Sequence, residues 1–86
     1  MDFYYVYILV SLKDSRLYIG FTKNLQDRLR EHNGGVTEST KNRRPLKLVY
    51  YEAHLSKEVV LERERYFKSG WGRKFIKEKL KIDFKV

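Results

Sequence analysis

The amino-acid sequence predicts an α+β fold, with a small three-stranded antiparallel sheet flanked by helices in the order β-β-α-β-α-α. Two observations lead to this prediction: three short segments are rich in aromatic and β-branched residues, which favour strands, and three others have helical spacing. Three strands are too few for a doubly wound parallel sheet. Because 86 residues is the length of one domain, we expect a single domain over residues 1–86.

The first two predicted strands form a hairpin. Residues 3–11 are almost continuously apolar, which is typical of a central strand buried on both faces, and residues 17–21 are the second strand. Turn-forming residues separate them, and so short a connection joins antiparallel neighbours. A polar, basic loop over residues 36–45 ends at Pro45 and leads into the third strand, residues 46–52.

Capping residues mark the first two helices. Asn24 is a good N-cap, and Asp27 places negative charge in the first turn, where the helix dipole favours it. The glycines in residues 33–35 end this helix, since glycine accepts the left-handed conformation. Ser56 caps the second helix, with Glu58 in its first turn.

The third helix is predicted from a basic amphipathic segment over residues 73–81. Gly70 and Gly72 are expected to break the second helix around Trp71. Between two glycines, Trp71 is expected to be anchored in the core, and the alternative is that it stacks on a nucleic-acid base. The tail over residues 82–86 shows no clear preference.

The composition indicates an anionic partner. Nineteen Lys and Arg against eleven Asp and Glu give a net charge of +8, and the excess is largest over residues 56–86. Nucleic acid is the first class of partner that such a charge favours, with a solvated surface as the alternative. The absence of cysteine excludes disulfides, a thiolate nucleophile and a zinc finger of the usual kind.

The location is expected to be cytoplasmic, without a membrane partner. No apolar run approaches the ~20 residues of a membrane span. The first three residues lack the basic leader of a secretory signal.

Few residues are suited to chemistry, and one combination stands out. Tyr7 and Tyr18 lie on adjacent predicted strands, whereas Arg28 and His32 are one helical turn apart and share a face. Glu64 is a single acid on the second helix. Taken one by one, they have structural explanations: core aromatics, a solvated arginine, a helix-end histidine helped by the dipole, and a surface salt bridge.

The sequence resembles a known family at these positions. Tyr5-Val6-Tyr7, followed after ten residues by Tyr18-Ile19-Gly20, is similar to the signature of the GIY-YIG nuclease superfamily. Four further segments follow in the family's order: residues 24–34, Arg43-Arg44-Pro45, residues 46–52 and residues 64–68. The resemblance covers residues 3–80. It is to the short stand-alone members, which are related to the N-terminal nuclease domain of the bacterial excision-repair incision subunit.

The resemblance implies hydrolysis of a DNA phosphodiester bond with one divalent cation, Mg²⁺ or Mn²⁺, and a tyrosine as general base. It identifies Tyr7, Tyr18, Arg28, His32 and Glu64 as catalytic, with Glu64 also the metal ligand. A hard cation on Glu64 would neutralise developing charge, and Arg28 offers a planar fork for phosphate oxygens. Arg28 and the metal are expected to favour the phenolate, and His32 to relay its proton or donate to phosphate. No organic cofactor is expected.

Two positions depart from the family pattern. Tyr5 stands where the family name has glycine, and Phe21 follows Gly20 where the excision-repair enzymes carry a lysine. With no second DNA-recognition domain expected, we predict low sequence specificity and a role in DNA repair or processing. The alternatives are a nucleic-acid-binding module with weak or absent cleavage, and a subunit or adaptor of a repair complex.

Basic residues other than the catalytic candidate Arg28 are predicted to contact nucleic acid, most simply the phosphates of DNA. They lie in the loop before the third strand, at the end of the second helix and along the third. These residues are Lys41, Arg43, Arg44, Lys68, Arg73, Lys74, Lys77 and Lys81.

Overall fold

The computed structural model describes residues 2–85, so Met1 and Val86, the two ends of the predicted domain, lie outside the described residues. The elements are β1 (Tyr4–Ser11), β2 (Leu17–Thr22), α1 (Leu25–Asn33), β3 (Leu46–His54), α2 (Lys57–Lys68) and α3 (Gly70–Glu78). A short 3-10 turn (Lys41–Arg43) precedes β3. The predicted fold class and element order are confirmed.

The sheet places β1 in the centre, between β2 and β3, and both pairings are antiparallel. Tyr7 on β1 lies opposite Gly20 on β2 and opposite Tyr51 on β3. Most of β1 is buried, as its nearly continuous apolar sequence predicts. The central position of β1 therefore sets Tyr7 at the middle of the sheet.

The two faces of the sheet are covered by different helices. On one face Val6, Ile8 and Val10 pack with residues of α2 and α3 in the main apolar cluster. On the other face Tyr7 and Leu9 pack with partly buried side chains of α1. Alternate residues of a strand point to opposite faces, so Tyr7 faces α1. None of the helices in the described part of the chain is long and apolar enough to cross a membrane.

Helix α1 ends as predicted and is attached to the start of β3. Gly35 takes the left-handed conformation, with φ of 80°. The side chain of Asn33 donates to the carbonyl oxygen of Leu46 at 3.0 Å and accepts from its N–H at 2.8 Å. This pair of hydrogen bonds holds the C-terminal turn of α1, which carries His32, against the sheet.

The boundary between α2 and α3 lies at Ser69, and the predicted break at Gly70 and Gly72 is wrong. The Ser69 hydroxyl accepts from the N–H of Gly72 at 3.2 Å, which caps α3 three residues earlier than predicted. A β-carbon at Gly72 would collide with the carbonyl oxygen of Tyr66. Glycine here permits a close approach of two helices and does not interrupt either of them.

The predicted core position of Trp71 is also wrong, because this residue is 75% exposed. The tail, by contrast, adds to the core: Phe84 is buried in the main apolar cluster, and the N–H of Lys85 donates to the carbonyl oxygen of Ser15 at 2.7 Å. The tail therefore closes back on the β1–β2 turn.

Candidate active site

A hydrogen bond joins the two most buried members of the predicted site. The hydroxyl of Tyr7 and Nε2 of His32 are 2.9 Å apart. Tyr7 is 1% exposed and His32 is fully buried. The ring of Tyr18 lies edge-on to His32, with 4.8 Å between the ring centroids. The structure thus brings three of the predicted residues together, from β1, β2 and α1.

Gly20 makes room for the Tyr7 phenol. A β-carbon at Gly20 would lie 2.6 Å from the hydroxyl oxygen of Tyr7 and 2.8 Å from Cζ. Both distances are shorter than any ordinary contact of a β-carbon, so a larger residue would force the phenol away. The glycine that follows Tyr18-Ile19 is therefore part of the site, since it determines where the Tyr7 hydroxyl lies.

Thr40 orients His32, and the sequence analysis did not identify it. Its hydroxyl is 2.8 Å from Nδ1 of His32, and the residue is fully buried. Thr40 lies in the polar loop before β3, which Arg43 anchors to the β1–β2 turn through an ion pair with Asp14 at 3.0 Å. No local pattern marks a buried threonine in a polar loop, so only the tertiary structure could reveal this contact.

Burial determines the protonation state of the Tyr7–His32 pair. Desolvation raises the pKa of the Tyr7 phenol above its usual value, and the neighbouring Tyr18 raises it further. Arg28 lowers the pKa of Tyr7 but does not outweigh burial. The effect of Arg28 thus has the expected direction, but by itself it leaves Tyr7 a neutral phenol.

His32 is neutral as well. Desolvation lowers the pKa of its imidazole, Arg28 lowers it further, and Glu31 acts in the opposite direction. This burial disfavours the charged form, which a helix C-terminus would otherwise stabilise. A neutral imidazole has one donor and one acceptor nitrogen, which matches the two hydroxyl groups of Tyr7 and Thr40.

Arg28 lies at the edge of this cluster. Its side chain is 38% exposed, and its Nε is 3.6 Å from a carboxylate oxygen of Glu31. Its charge influences the pKa values of both Tyr7 and His32, which places the guanidinium near the pair. Half-exposed and weakly paired, Arg28 has donors available for an anionic ligand.

Glu64 is the acidic side chain of α2 that acts on the cluster. Its negative charge contributes to the raised pKa of Tyr7. The side chain is 19% exposed, and Lys68 donates to one of its oxygens at 3.3 Å. Glu58 and Glu62, its neighbours on α2, are exposed, and neither contributes to the pKa shift of Tyr7.

Glu64 is suited to bind a divalent cation, but as the single protein ligand of that cation. Among residues 2–85, no group of three or more His, Asp or Glu side chains is arranged to hold a metal ion. Mg²⁺, however, typically keeps several waters and takes one or two carboxylates together with substrate phosphate oxygens. Oε1 of Glu64 makes no hydrogen bond to other described residues, so a hard oxygen donor is available there.

The carboxylate of Glu52 belongs to a separate hydrogen-bond network, which the sequence did not reveal. Arg63 binds both of its oxygens at 2.9 Å, and Tyr50 and His54 bond to it at 2.8 and 2.9 Å. Burial alone would raise the pKa of the Glu52 carboxyl, but the hydrogen bonds from Arg63, His54 and Tyr50 lower it to about 2. This carboxylate ties α2 to β3 and has a structural role.

The predicted nucleic-acid-binding residues are divided between paired and unpaired positions. Arg43 is committed to Asp14 and donates to the carbonyl oxygen of Leu17, so it holds the loop in place. Lys41, Lys68 and Lys74 pair with acidic neighbours on the surface. Arg73 and Arg43 line a cavity of about 460 Å³, together with other residues of the β1–β2 turn and the tail. The remaining predicted contacts are Arg44, Lys77 and Lys81, and all three are exposed.

The chain is similar to known proteins over most of its length. The family model described as GIY-YIG catalytic domain matches residues 3–79, a range that includes every residue of the cluster. A UPF0213 protein of Staphylococcus saprophyticus is 41% identical over 78 residues, which are 90% of this chain and 94% of the relative. One of Clostridium perfringens is 46% identical over 65 residues, covering 74% of this chain and 69% of the relative. One of Haloquadratum walsbyi is 41% identical over 69 residues, covering 79% and 76%.

Proposed function

Because this chain belongs to the GIY-YIG catalytic domain family, we propose that it is a divalent-metal-dependent nuclease that hydrolyses DNA phosphodiester bonds with low sequence specificity. One observation carries the proposal: the hydrogen bond between Tyr7 and His32, with Arg28 and Glu64 close enough to act on the same phenol. Phosphodiester hydrolysis needs a proton acceptor, a permanent cation and a carboxylate, and here the charges of Arg28 and Glu64 both act on the Tyr7 phenol.

Tyr7 and His32 act as a proton relay in this proposal. A water that attacks phosphorus gives its proton to the Tyr7 oxygen as the Tyr7 proton moves to Nε2 of His32. The relay suits the raised pKa of Tyr7, because a free phenolate never has to accumulate at neutral pH. Thr40 holds the other nitrogen of His32, and Glu31 favours the imidazolium that forms.

Arg28 and Tyr18 bind the phosphate. The guanidinium of Arg28 is permanently charged and has a planar set of donors that matches two phosphate oxygens. Tyr18 is the less buried of the two tyrosines and packs on the same His32 ring, so its side chain is the one available to a bound phosphate. These contacts act on the negative charge that increases in the transition state.

Glu64 would hold the divalent cation. The chemistry that Mg²⁺ or Mn²⁺ supplies when bound is neutralisation of charge on the non-bridging and leaving oxygens. Glu64 would supply a partly buried carboxylate oxygen for it, and the remaining ligands would come from water and phosphate oxygens. The pairing of Glu64 with exposed Lys68 is weak enough to be exchanged for a cation.

The exposed basic residues favour DNA binding without sequence readout. Phosphate contacts position a nucleic acid but carry no sequence information. With a net charge of +8, the chain has the electrostatic attraction for such binding. A role in DNA repair or processing, in the cytoplasm, accords with a small nuclease of low specificity.

A second candidate function is nucleic-acid binding without cleavage, and Phe21 favours it. Phe21 stands where related excision-repair enzymes carry a lysine, and its side chain packs against the main apolar cluster. That position therefore supplies no charge to the site. In this case the cluster around Tyr7 would bind a phosphate and leave it intact.

A cleavage assay distinguishes the two functions. The purified chain is incubated with supercoiled, branched and single-stranded DNA, with Mg²⁺, with Mn²⁺ and with neither. A nuclease cuts at least one of these forms in a metal-dependent manner. Retention of DNA without a cut in either metal would support the binding-module alternative.

A further inference from the structure

Trp71 is a large aromatic side chain that the core does not use. It is the second residue of α3, whose buried residues are Gly72 and Ile76, four positions apart on one face. Trp71 precedes this face and is 75% exposed. It is also the only tryptophan in the chain. A single exposed aromatic residue needs no explanation by itself, so its surroundings decide whether it has a function.

The surroundings of Trp71 combine aromatic rings with positive charge. A cavity of about 200 Å³ lies beside the indole and is bordered by the aromatic side chains of Tyr66 and Phe75. Lys74 places its ammonium group 5.8 Å from the centre of the indole ring. Lys79 lies at the same cavity, and Glu78 is the one acidic residue there. An apolar platform with basic residues at its rim is complementary to a flat, uncharged ring that is attached to an anionic backbone.

We propose that Trp71, together with Lys74 and Lys79, forms a stacking site for an unpaired base of a DNA strand. The indole stacks on the base, and the two lysines neutralise the adjacent phosphates, as is general for proteins that bind single strands. Inside a duplex both faces of each base are covered by its neighbours, so the site favours an unpaired base. The proposal rests on the proposed function in taking DNA as the substrate, and it adds a preference for substrates with single-stranded segments.

The fluorescence of Trp71 reports directly on binding at this site. The full-length chain is titrated with a thymidine oligonucleotide and with a blunt duplex of the same charge, at one salt concentration and in EDTA so that no cleavage occurs. We expect saturable quenching of Trp71 fluorescence by the single strand and much weaker quenching by the duplex. Fluorescence anisotropy of end-labelled versions of the same DNA measures binding independently of the indole.

Two substitutions at this position separate stacking from charge. Trp71→Ala should weaken binding of the single strand by roughly 5- to 150-fold, the range that loss of one stacked base produces, and leave duplex binding nearly unchanged. Trp71→Phe retains a ring and should keep most of the affinity. Leu12→Ala is the matched control, because Leu12 is an exposed apolar residue in the β1–β2 turn and should have no effect.

The outcomes are distinct from those of the cleavage assay. If anisotropy reports a complex with the single strand while Trp71 fluorescence and the Trp71→Ala affinity stay unchanged, the stacking site is wrong and the nuclease proposal is unaffected. If Trp71 is quenched but no DNA is ever cut, the stacking site holds and the nuclease fails. Absence of any DNA binding overturns both. A shift in Trp71 emission that depends on protein concentration without DNA would assign the surface to a second copy of the chain.

Discussion

The hydroxyl of Tyr7 and Nε2 of His32 lie 2.9 Å apart, in a part of the protein where neither residue has appreciable contact with solvent. Burial moves the pKa values of the two groups in opposite directions, up for the phenol and down for the imidazole. Both are therefore neutral at neutral pH, and transfer of the Tyr7 proton to His32 would leave a buried phenolate and imidazolium unless the phenol oxygen accepts another proton at the same time.

Tyr7→Phe should nearly abolish cleavage. The substitution removes the oxygen that accepts the proton of water, and loss of a general base costs about 10²- to 10⁴-fold in rate. It also leaves Nε2 of His32 without a partner, at a cost of about 1–3 kcal/mol in the free energy of unfolding. A nicking assay and urea denaturation measure the two effects. Tyr18→Phe keeps the Tyr7–His32 bond and should lose less activity, so equal losses in the two variants would contradict the assignment of Tyr7 as the base.

Glu64→Gln should abolish metal-dependent cleavage while DNA remains bound. The amide has nearly the size of the carboxylate but lacks the charge that a hard cation requires, so cleavage should fall by several powers of ten. DNA affinity should stay the same or increase, because a negative charge leaves a basic surface. The rate is followed over a Mn²⁺ titration. Glu62→Gln is the matched control on an exposed position of α2 and should behave as wild type. Cutting by Glu64→Gln at the wild-type rate would show that the metal ligand lies elsewhere.

Gly20→Ala should damage both stability and activity. Its β-carbon would lie 2.6 Å from the Tyr7 hydroxyl, so the phenol must move and the hydrogen bond to His32 is lost. Overpacking of this kind costs about 1–3 kcal/mol, which urea denaturation can measure. Gly70→Ala adds the same methyl group where nothing lies within 4 Å, and it should be neutral or slightly stabilising. If both variants unfold at the wild-type urea concentration, the close fit around Tyr7 does not exist.

Stability should fall in two separate steps as the pH is lowered. Burial lowers the pKa of His32 in the folded chain below its unfolded value of 6.5. At a pH between the folded and the unfolded pKa, the unfolded chain therefore binds a proton that the folded chain does not. The free energy of unfolding therefore decreases as the pH falls below about 6.5, by at most about 1.4 kcal/mol per pH unit. Asp14 and Glu52, with folded pKa values of about 2, contribute stability that is lost as the pH falls below their unfolded values of 3.8 and 4.5.

Urea denaturation over a series of pH values resolves the two steps. His32→Gln should remove the step near pH 6.5 and keep the one at lower pH, because Asp14 and Glu52, which cause the second step, are unchanged. A step of unchanged size near pH 6.5 in that variant would mean that His32 does not titrate as its burial indicates.

The basic residues of α3 and its C-terminal end should contribute to binding and not to the chemical step. Changing Lys74, Lys77 and Lys81 together to Glu should weaken DNA binding and reduce its salt dependence, since fewer phosphates are neutralised. The rate at saturating DNA should remain close to that of wild type. Titrations at about 50 and about 200 mM salt, combined with single-turnover cleavage, test both statements. A large fall in the saturated rate with unchanged affinity would place these lysines in the reaction centre.

The sequence by itself determined the order of the elements and the membership of the family. The strands are visible as runs of aromatic and β-branched residues and the helices as apolar residues at helical spacing, and caps such as Asn24 and Ser56 act on backbone within three residues of themselves. Arg28 and His32 share a helix face for the same local reason. These two residues, with Tyr7, Tyr18 and Glu64, resemble the family motif, and this resemblance can be recognised from the order of the residues along the chain alone.

The tertiary structure alone decided which groups touch. The contact of Thr40 with His32 depends on how a polar loop folds back, and the fit of Gly20 against Tyr7 depends on strand register. Neither contact can be predicted from hydrophobic periodicity, because each joins residues whose separation along the chain follows no helix or strand repeat. The same reason explains Trp71: whether a residue beside a glycine is buried depends on where the neighbouring helix packs, and Ser69 begins α3 early enough to turn the indole outward. Burial, and with it the neutral state of Tyr7 and His32, is a property of packing that the sequence alone does not specify.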